Sequence, residues 1–572
     1  MAPPVTARYD WVLALTTIAF VFSALGNGAN DVANSYATSV AARTLTMPQA
    51  GILAACTEFV GAVALGSRVT STIKSGIISL KRFENSPGVL MLAMGCAEVG
   101  SASWLAICNT IGFPVSTTQT IVGALIGVGF ASQSSITWEW KKGSVSQIAA
   151  SWAVAPLISA GYAAIIFATI KYSILDRQNS FEKALRAIPF YIAFTCAILA
   201  LFIVVETPSA PSLEEFGAGK AVGIVLGVFF GILAIAYIFF LPYFERRLVK
   251  QDARIKFYHL PLGPLLKKEN PPLYFPGRAD GDYVVDYYAS PYASSIEPNS
   301  SDSAVEARGK QATNGEKVAP ADSDKLESGH HGDSHQGIRH HRRPVEPEER
   351  FLHPAKHLPV YHPARLWGYV KFILLQGVTR DCVSHADEAL LDVHGRAPKY
   401  DIRIEHLWTY CQVLSAMLMS IAHGSNDVAN AVGPWVASYQ TFRSGEVNSK
   451  APTPVWFLVV AGLLLGTGFW FFGYRIIRAL GNRITRMSPT RGFSAELAAA
   501  ITVLMASRLA LPVSTTQCLT GAVVGVALMN YDVHAINWKQ LLWIFSGWVL
   551  TLPCAGLIAG LLCLMALNAP HF

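Results

Sequence analysis

"PVSTTQTIVGALIGV", residues 114 to 128, returns as "PVSTTQCLTGAVVGV" at 512 to 526, with ten of the fifteen positions identical. A second stretch does the same, "GANDVAN" at 28 to 34 coming back as "GSNDVAN" at 424 to 430. The offsets, 398 and 396, nearly agree, so 11–170 and 408–567 read as two copies of one unit.

The surroundings of these motifs are apolar. The chain is 52% hydrophobic and 15% charged with a mean hydropathy of +0.35, which places it among all-α polytopic membrane proteins. Runs of about 20 residues, enough to cross the hydrocarbon, cover 11–40, 51–67, 148–170, 189–206, 220–243, 408–440, 455–474 and 539–567. Two further pairs, 88–111 with 115–130 and 494–511 with 513–530, are interrupted by Pro114 and Pro512 and are expected as re-entrant helical hairpins. About 12 helical segments result. The first run is too long, and too polar in its second half, for a cleaved signal peptide. Eight of the nine cysteines lie in or beside apolar segments without paired spacing, so neither a disulfide framework nor a zinc site is indicated.

Three regions follow. Residues 1–243 form an N-terminal membrane half, comprising the first copy and two extra spans between 189 and 243, and 406–572 form a C-terminal half. Between them, 244–405 is rich in Ser, Pro, His and charge and is expected to be a largely disordered loop. Its histidines 330, 331, 335, 340 and 341 are read as solvated linker in preference to a metal site, and the sequon at Asn299 as unused. Its two ends, which mix aromatics with basic residues, are expected as short amphipathic pieces on anionic lipid.

Charge sets the orientation. Loop 473–492 carries five arginines and 171–186 four basic residues, whereas 206–220 carries three acids against one lysine. Positive-inside then makes the long loop cytoplasmic and both termini extracellular. The second copy enters the membrane from the side opposite to the first, an inverted repeat, the architecture in which transporters hold substrate at the midplane.

In "PVSTTQ" the proline ends one arm and Ser116, Thr117 and Thr118 begin the next, where the first backbone N–H groups lack helical partners. Free donors, partial positive charge and three hydroxyls suit a tetrahedral oxyanion. Ser514, Thr515 and Thr516 supply the same set again. A single S-T-T would read as back-bonded hydroxyls, but its duplication in register favours the site. In "GANDVAN", Asp31 sits inside a span at a cost of about 2.5–3.5 kcal/mol. Its oxygens and those of Asn34 offer hard ligands for sodium, with a proton-carrying aspartate and a structural polar cluster as alternatives.

These paired motifs resemble the two signatures of the inorganic phosphate transporter family, and the long central loop is most similar to the fungal sodium/phosphate symporters. The resemblance implies phosphate held by Ser116, Thr117, Thr118, Ser514, Thr515 and Thr516 with Asn30 and Asn426 close by. It implies sodium served by Asp31, Asn34, Gln119, Asp427, Asn430 and Gln517. It also implies two re-entrant hairpins, a homodimer in the plasma membrane and elevator-like alternating access.

Five residues are supporting candidates. His423 stands opposite Asn27, a helix-packing or a pH-sensitive position. Arg508 is set opposite Asn109 and is expected to pair with Glu496. Glu98 and Glu496 occupy equivalent positions and are read as hairpin anchors, while Glu58 in the second span is divided between function and structure. No Ser-His-Asp set, Walker loop or zinc spacing supports an enzyme, no cofactor besides the coupling Na⁺ is called for, and nothing points to nucleic acid. The function expected is sodium-coupled phosphate import. The alternatives are a proton-coupled phosphate or sulfate permease and a transporter-like phosphate receptor.

Overall fold

In lipid an apolar segment must satisfy its own backbone polar groups, and the helix does so within the segment. The computed structural model describes residues 7–141, 143–206, 217–279, 281–288, 345–383, 388–448 and 451–569. No strand occurs among them, only a β-bridge between Ile78 and Ile136. The first half runs α1 (Asp10–Ala41), α2 (Met47–Leu65), α3 (Ser67–Ser75), α4 (Pro87–Ile111), α5 (Thr117–Ala131) and α6 (Val145–Ile170). Next come α7 (Ser180–Glu206) and α8 (Ala218–Val249). The hydrophilic segment contributes α9 (Pro363–Thr379) and α10 (Glu388–Arg396). The second half repeats the first pattern as α11 (Ile402–Ser444), α12 (Val455–Phe472), α13 (Tyr474–Leu480), α14 (Pro489–Arg508), α15 (Thr515–Leu528) and α16 (Trp538–Asn568).

Eight of these, α1, α2, α4, α6, α7, α8, α12 and α16, are long and apolar enough to cross a membrane, and α5 and α15 are shorter apolar helices. With the more polar α11 and α14 they make up the twelve segments expected. Helix α11, at 43 residues, is about 65 Å long, so it outreaches the hydrocarbon at one end or both.

Local chemistry sets the boundaries. Proline occupies the first turn of α4 and α14, where its missing N–H costs nothing. Ser116 and Ser514 cap α5 and α15 by accepting from Gln119 N and Gln517 N, three residues on. The preceding arms end alike: Phe113 N returns to Cys108 O at 2.8 Å and Leu511 N to Ala506 O at 3.0 Å. That reversal needs a left-handed residue. In the first half it is Gly112 (φ 71°), but in the second it is Ala510 (φ 53°).

The halves interlock at glycines. A Cβ on Gly123 would meet Leu552 O at 2.6 Å and one on Gly127 would meet Gly556 O at 2.1 Å, so α5 lies against α16. At the matching positions Gly521 abuts Pro156 O (2.3 Å) and Gly525 abuts Ala160 O (2.2 Å), so α15 lies against α6. Each small-xxx-small pair lets two backbones touch. The central crossings follow the same rule: Gly61 of α2 meets Ile421 O of α11 at 2.3 Å, and Gly468 of α12 meets Leu25 O of α1 at 2.1 Å.

The flanks of the hydrophilic segment, expected only as short amphipathic pieces, are tied to the helix ends. Arg478 donates to Asp381 O at 2.6 Å, His394 Nε2 bonds Asn482 O at 2.7 Å, and Asn482 Nδ2 donates to Ala41 O at 3.1 Å. Burial pushes the His394 imidazole below its usual range. Of the 244–405 expected to be largely disordered, 244–279, 281–288, 345–383 and 388–405 are described, with Leu248, Ile255 and Leu266 buried against the helices, while 289–344, Asn299 and the five linker histidines lie outside the described residues.

Candidate functional site

Two acids, Asp31 of the π-interrupted α1 and Asp427 of the continuous α11, face the N-terminal ends of α5 and α15. Asp31 lies in a five-residue π-helical segment of α1, Gly28–Val32, whose widened turn re-aims the side chains following Gly26 and Gly28. Asp31 Oδ2 accepts from Thr117 N at 3.2 Å and Thr117 Oγ1 at 2.5 Å, both on its own half's hairpin. Its Oδ1 accepts from Thr516 Oγ1 at 2.7 Å, on the other hairpin, and from Asn34 Nδ2 at 3.2 Å. Asp427 mirrors this. Its Oδ2 accepts from Thr515 Oγ1 at 2.7 Å, and its Oδ1 from Thr118 Oγ1 and Asn430 Nδ2, each at 3.2 Å.

The tips also touch each other. Thr118 Oγ1 lies 3.0 Å from Val513 O, and Thr516 Oγ1 lies 3.2 Å from Val115 O. Asn34 Nδ2 reaches Thr516 Oγ1 at 2.5 Å and Asn430 Nδ2 reaches Thr118 Oγ1 at 3.1 Å. Asn30 and Asn426 sit behind the tips as struts. Asn30 donates to Asn109 Oδ1 (2.8 Å) and Phe113 O (3.1 Å), and Asn426 donates to Ser507 Oγ (3.0 Å) and Leu511 O (3.2 Å). Of the fourteen expected phosphate or sodium side chains, all except Ser116, Gln119, Ser514 and Gln517 are thus held by side-chain bonds; those four cap or extend the first turns of α5 and α15.

Electrostatics favour a cation here. One oxygen each of Asp31 and Asp427 and a ring nitrogen of His423 lie within 4.8 Å of one another, all buried. Two carboxylates about 5 Å apart repel by about 3 kcal/mol at the effective dielectric of a protein interior. The carbonyl oxygens of Asn34, Asn430, Gln119 and Gln517 are buried with no hydrogen-bond partner. Of these, Asn34 and Asn430 are bonded through their amide nitrogens to Asp31 and Asp427, so two free carbonyl oxygens sit beside the two acids, the hard oxygen chemistry that suits a cation such as sodium.

His423 bridges this cluster to α2. Its Nδ1 pairs with Glu58 Oε2 at 2.7 Å, while Nε2 lies 3.2 Å from Asp427 Oδ2 without the alignment of a hydrogen bond. Ser420 completes the Glu58 shell, donating to Oε1 at 2.6 Å. Glu496 is bound from both long helices, by Thr38 and Ser39 (2.6 Å each) and by Ser415 (2.7 Å) and Gln412 (3.3 Å). Glu98, expected to match it, is equally buried, yet neither oxygen has a hydrogen-bond partner. The expectation for Arg508 is corrected on both counts. The residue facing Asn109's position is Ser507, which holds Asn426 as Asn109 holds Asn30, and Arg508 donates outward to Val205 O at 3.2 Å instead of pairing with Glu496. A charge on the exposed side of α14 stays near polar carbonyls, not in the core.

Residues 27–559 match the phosphate transporter family model. The chain belongs to that family. It is 37% identical, over 99% of both chains, to the phosphate-repressible phosphate permease pho-4 of Neurospora crassa. It is 30% identical to sodium-dependent phosphate transporter 2 of Bos taurus, over 96% of this chain and 97% of that one. A solved structure titled the sodium-dependent phosphate transporter superposes with a TM-score of 0.63 over 98% of this chain and all of that one, at 23% identity, a likeness of fold. As a family member the chain is a membrane transporter and not an enzyme.

Sequence reasoning missed several residues of this family member's polar core. Asn109 and Ser507 are the struts' partners, and their signal was available: both lie five residues before their hairpin proline. Thr38, Ser39, Gln412 and Ser415 lie in helices already singled out, but only packing reveals that they converge on Glu496. Asn27 was noted only as His423's counterpart; its Nδ2 donates to Asp427 O at 3.0 Å, tying α1 to α11.

Proposed function

We propose that the chain is a sodium-coupled inorganic phosphate symporter of the plasma membrane, built as an inverted repeat with two re-entrant hairpins and working by alternating access. The carrying observation is reciprocity: Thr516 of the second hairpin bonds Asp31 of the first half, and Thr118 of the first hairpin bonds Asp427 of the second. Two equivalent tips entering one cluster from opposite halves are what an inverted repeat produces. The printed names of relatives, sodium-dependent phosphate transporters, agree with this reading.

The geometry supplies a coupling mechanism. Each threonine hydroxyl has one proton to donate; Thr117 and Thr515 direct theirs to Asp31 and Asp427, Thr516 lies nearer Asp31 than the Val115 carbonyl, and Thr118 lies between Asp427 and the Val513 carbonyl. Sodium on Asp31 with Asn34 and Gln119, and on Asp427 with Asn430 and Gln517, satisfies the carboxylates by a cation. The hydroxyls then turn to phosphate, joined by Ser116, Ser514 and the free N–H groups of α5 and α15, with Asn30 and Asn426 bracing the tips. Sodium also attenuates the repulsion between acids and anion. Donors without a fixed cation hold phosphate firmly enough to select it and loosely enough to release it.

The homodimer implied by resemblance needs an uncovered face. Helix α8 offers one, since Gly219, Gly223, Gly227 and Gly231 recur every four residues with nothing within 4 Å of an added Cβ. Cysteine cross-linking at Gly223 checks it.

In proteoliposomes, radiolabelled phosphate should accumulate under an inward sodium gradient and stop when choline replaces sodium at fixed pH. Uptake that persists and follows pH would move the reading to proton coupling, competition by sulfate would widen the substrate class, and binding without uptake would make the chain a receptor.

A further inference from the structure

A second anionic-ligand environment lies far along the chain from the hairpins. Residues 346–356 and α9 enclose a cavity of about 260 Å³ lined by Glu348, Leu352, His353, Lys356, Arg365 and Tyr369. Arg365 is pinned in place: Nη1 donates to Leu358 O at 2.6 Å and Nε to the Tyr369 hydroxyl at 3.2 Å. The one acid, Glu348, is bonded to Arg380 at 2.5 Å, so its charge is balanced from outside the cavity. Lys356 and Arg365 have no acidic partner among the described residues, and the cavity is left positive.

Beside the cavity α9 carries an apolar stripe. Leu366, Trp367, Val370, Ile373 and Leu374 recur at helical spacing and are exposed, Trp367 by 58% and Ile373 by 57%. Lys371 lies over the Trp367 ring at 5.6 Å. The stripe runs to the end of a membrane span, because Trp470 Nε1 of α12 donates to Leu374 O at 2.7 Å and Gly377 abuts Trp470 O. A helix with an apolar aromatic face and flanking bases lies in the membrane interface.

We propose that this cavity binds the phosphorylated headgroup of an anionic lipid whose acyl chains lie along the exposed stripe of α9. Headgroup phosphate and free inorganic phosphate offer the same acceptor oxygens to a guanidinium, an ammonium, an imidazole and a phenol. Only the lipid also covers the stripe. The inference rests on the proposed membrane-transporter reading together with the orientation expected from charge, which puts the central loop, and α9 with it, on the cytoplasmic side.

The test uses full-length protein reconstituted in phosphatidylcholine vesicles doped with a phosphoinositide, then re-extracted and read by native mass spectrometry for retained lipid. Retention is expected in wild type, unaffected by excess inorganic phosphate, and reduced about 30-fold in Lys356→Gln/Arg365→Gln, the loss from two basic groups near an anionic surface. Trp367→Ser/Ile373→Ser should lower it too. Equal retention in the charge variant overturns the proposal, and so does displacement by inorganic phosphate, which would mark a soluble-anion site. If the double variant is not monodisperse, Lys356→Gln alone carries the test, its side chain being exposed. Topology is read separately: Tyr361→Cys should add labelling by an impermeant thiol reagent only in inside-out vesicles. Labelling from outside intact cells refutes the orientation while leaving the lipid result to stand or fall alone.

Discussion

At the scale of single residues, the site is a closed exchange of hydrogen bonds around two acids. Thr516→Val removes the cross-half donor to Asp31 and leaves a buried carboxylate short of a partner, a cost of about 1–3 kcal/mol. Thr118→Val does the same at Asp427, though its 3.2 Å bond is longer. Both should lower thermal stability in detergent, Thr516→Val by more; equal melting of both variants and wild type would refute the cross-bracing. Glu496→Ala strands Thr38, Ser39, Ser415 and Gln412 around a buried void, so its folded yield should collapse, whereas Glu98→Gln, which breaks no hydrogen bond, should fold normally. Size-exclusion profiles of the two variants decide this. The acids, amides and S-T-T hydroxyls were legible because they occur twice. Arg508 was misplaced by one position in the alignment of the copies, and Glu98 and Glu496 were equated because sequence records position and not the donors brought by other helices.

At the scale of elements, the hairpins' reversals differ by one methyl group. Ala510 holds a left-handed conformation that glycine holds in the first half, at a cost of about 1 kcal/mol. Ala510→Gly should therefore stabilise the protein by up to about 1 kcal/mol despite the added chain entropy, and a lowered melting temperature would contradict the strain. Gly127→Leu should do the reverse, driving α5 off α16 where an added Cβ already meets Gly556 O at 2.1 Å. On the hydrophilic flank, burial lowers the pKa of His394, so the unfolded segment binds the proton more readily than the folded one. Its docking on Asn482 is complete above the ordinary histidine value, about 6.5, and weakens as pH falls below it. Hydrogen exchange of α10 should speed up on acidification, and a pH-independent rate, after correction for intrinsic exchange, would reject this. Some helix bounds were readable from hydropathy to within a residue or two, as at α1 and α16, but α7 begins nine residues before the expected 189 and α8 and α11 overrun their expected ends by six at one end, because polar and basic first or last turns carry no apolar signal. The small-xxx-small crossings at 123–127 and 521–525 were not readable, because glycine spacing names no partner.

At the scale of the whole molecule, duplication is the legible fact and interleaving the hidden one. Nearly equal offsets of two motifs implied two units, yet a sequence cannot say that α5 leans on the other half's α16 and α15 on α6. Those crossings place both tips at one cluster, and transport couples there if sodium frees the threonine hydroxyls for phosphate. Each net charge moved inward then gains about 2.3 kcal/mol per 100 mV of membrane potential. The most direct measurement is phosphate binding to the purified protein as sodium is raised at fixed pH and ionic strength. Phosphate affinity should rise with sodium in wild type, and the rise should be strongly blunted in Asp31→Asn and Asp427→Asn. An affinity in wild type that does not change with sodium would contradict the account.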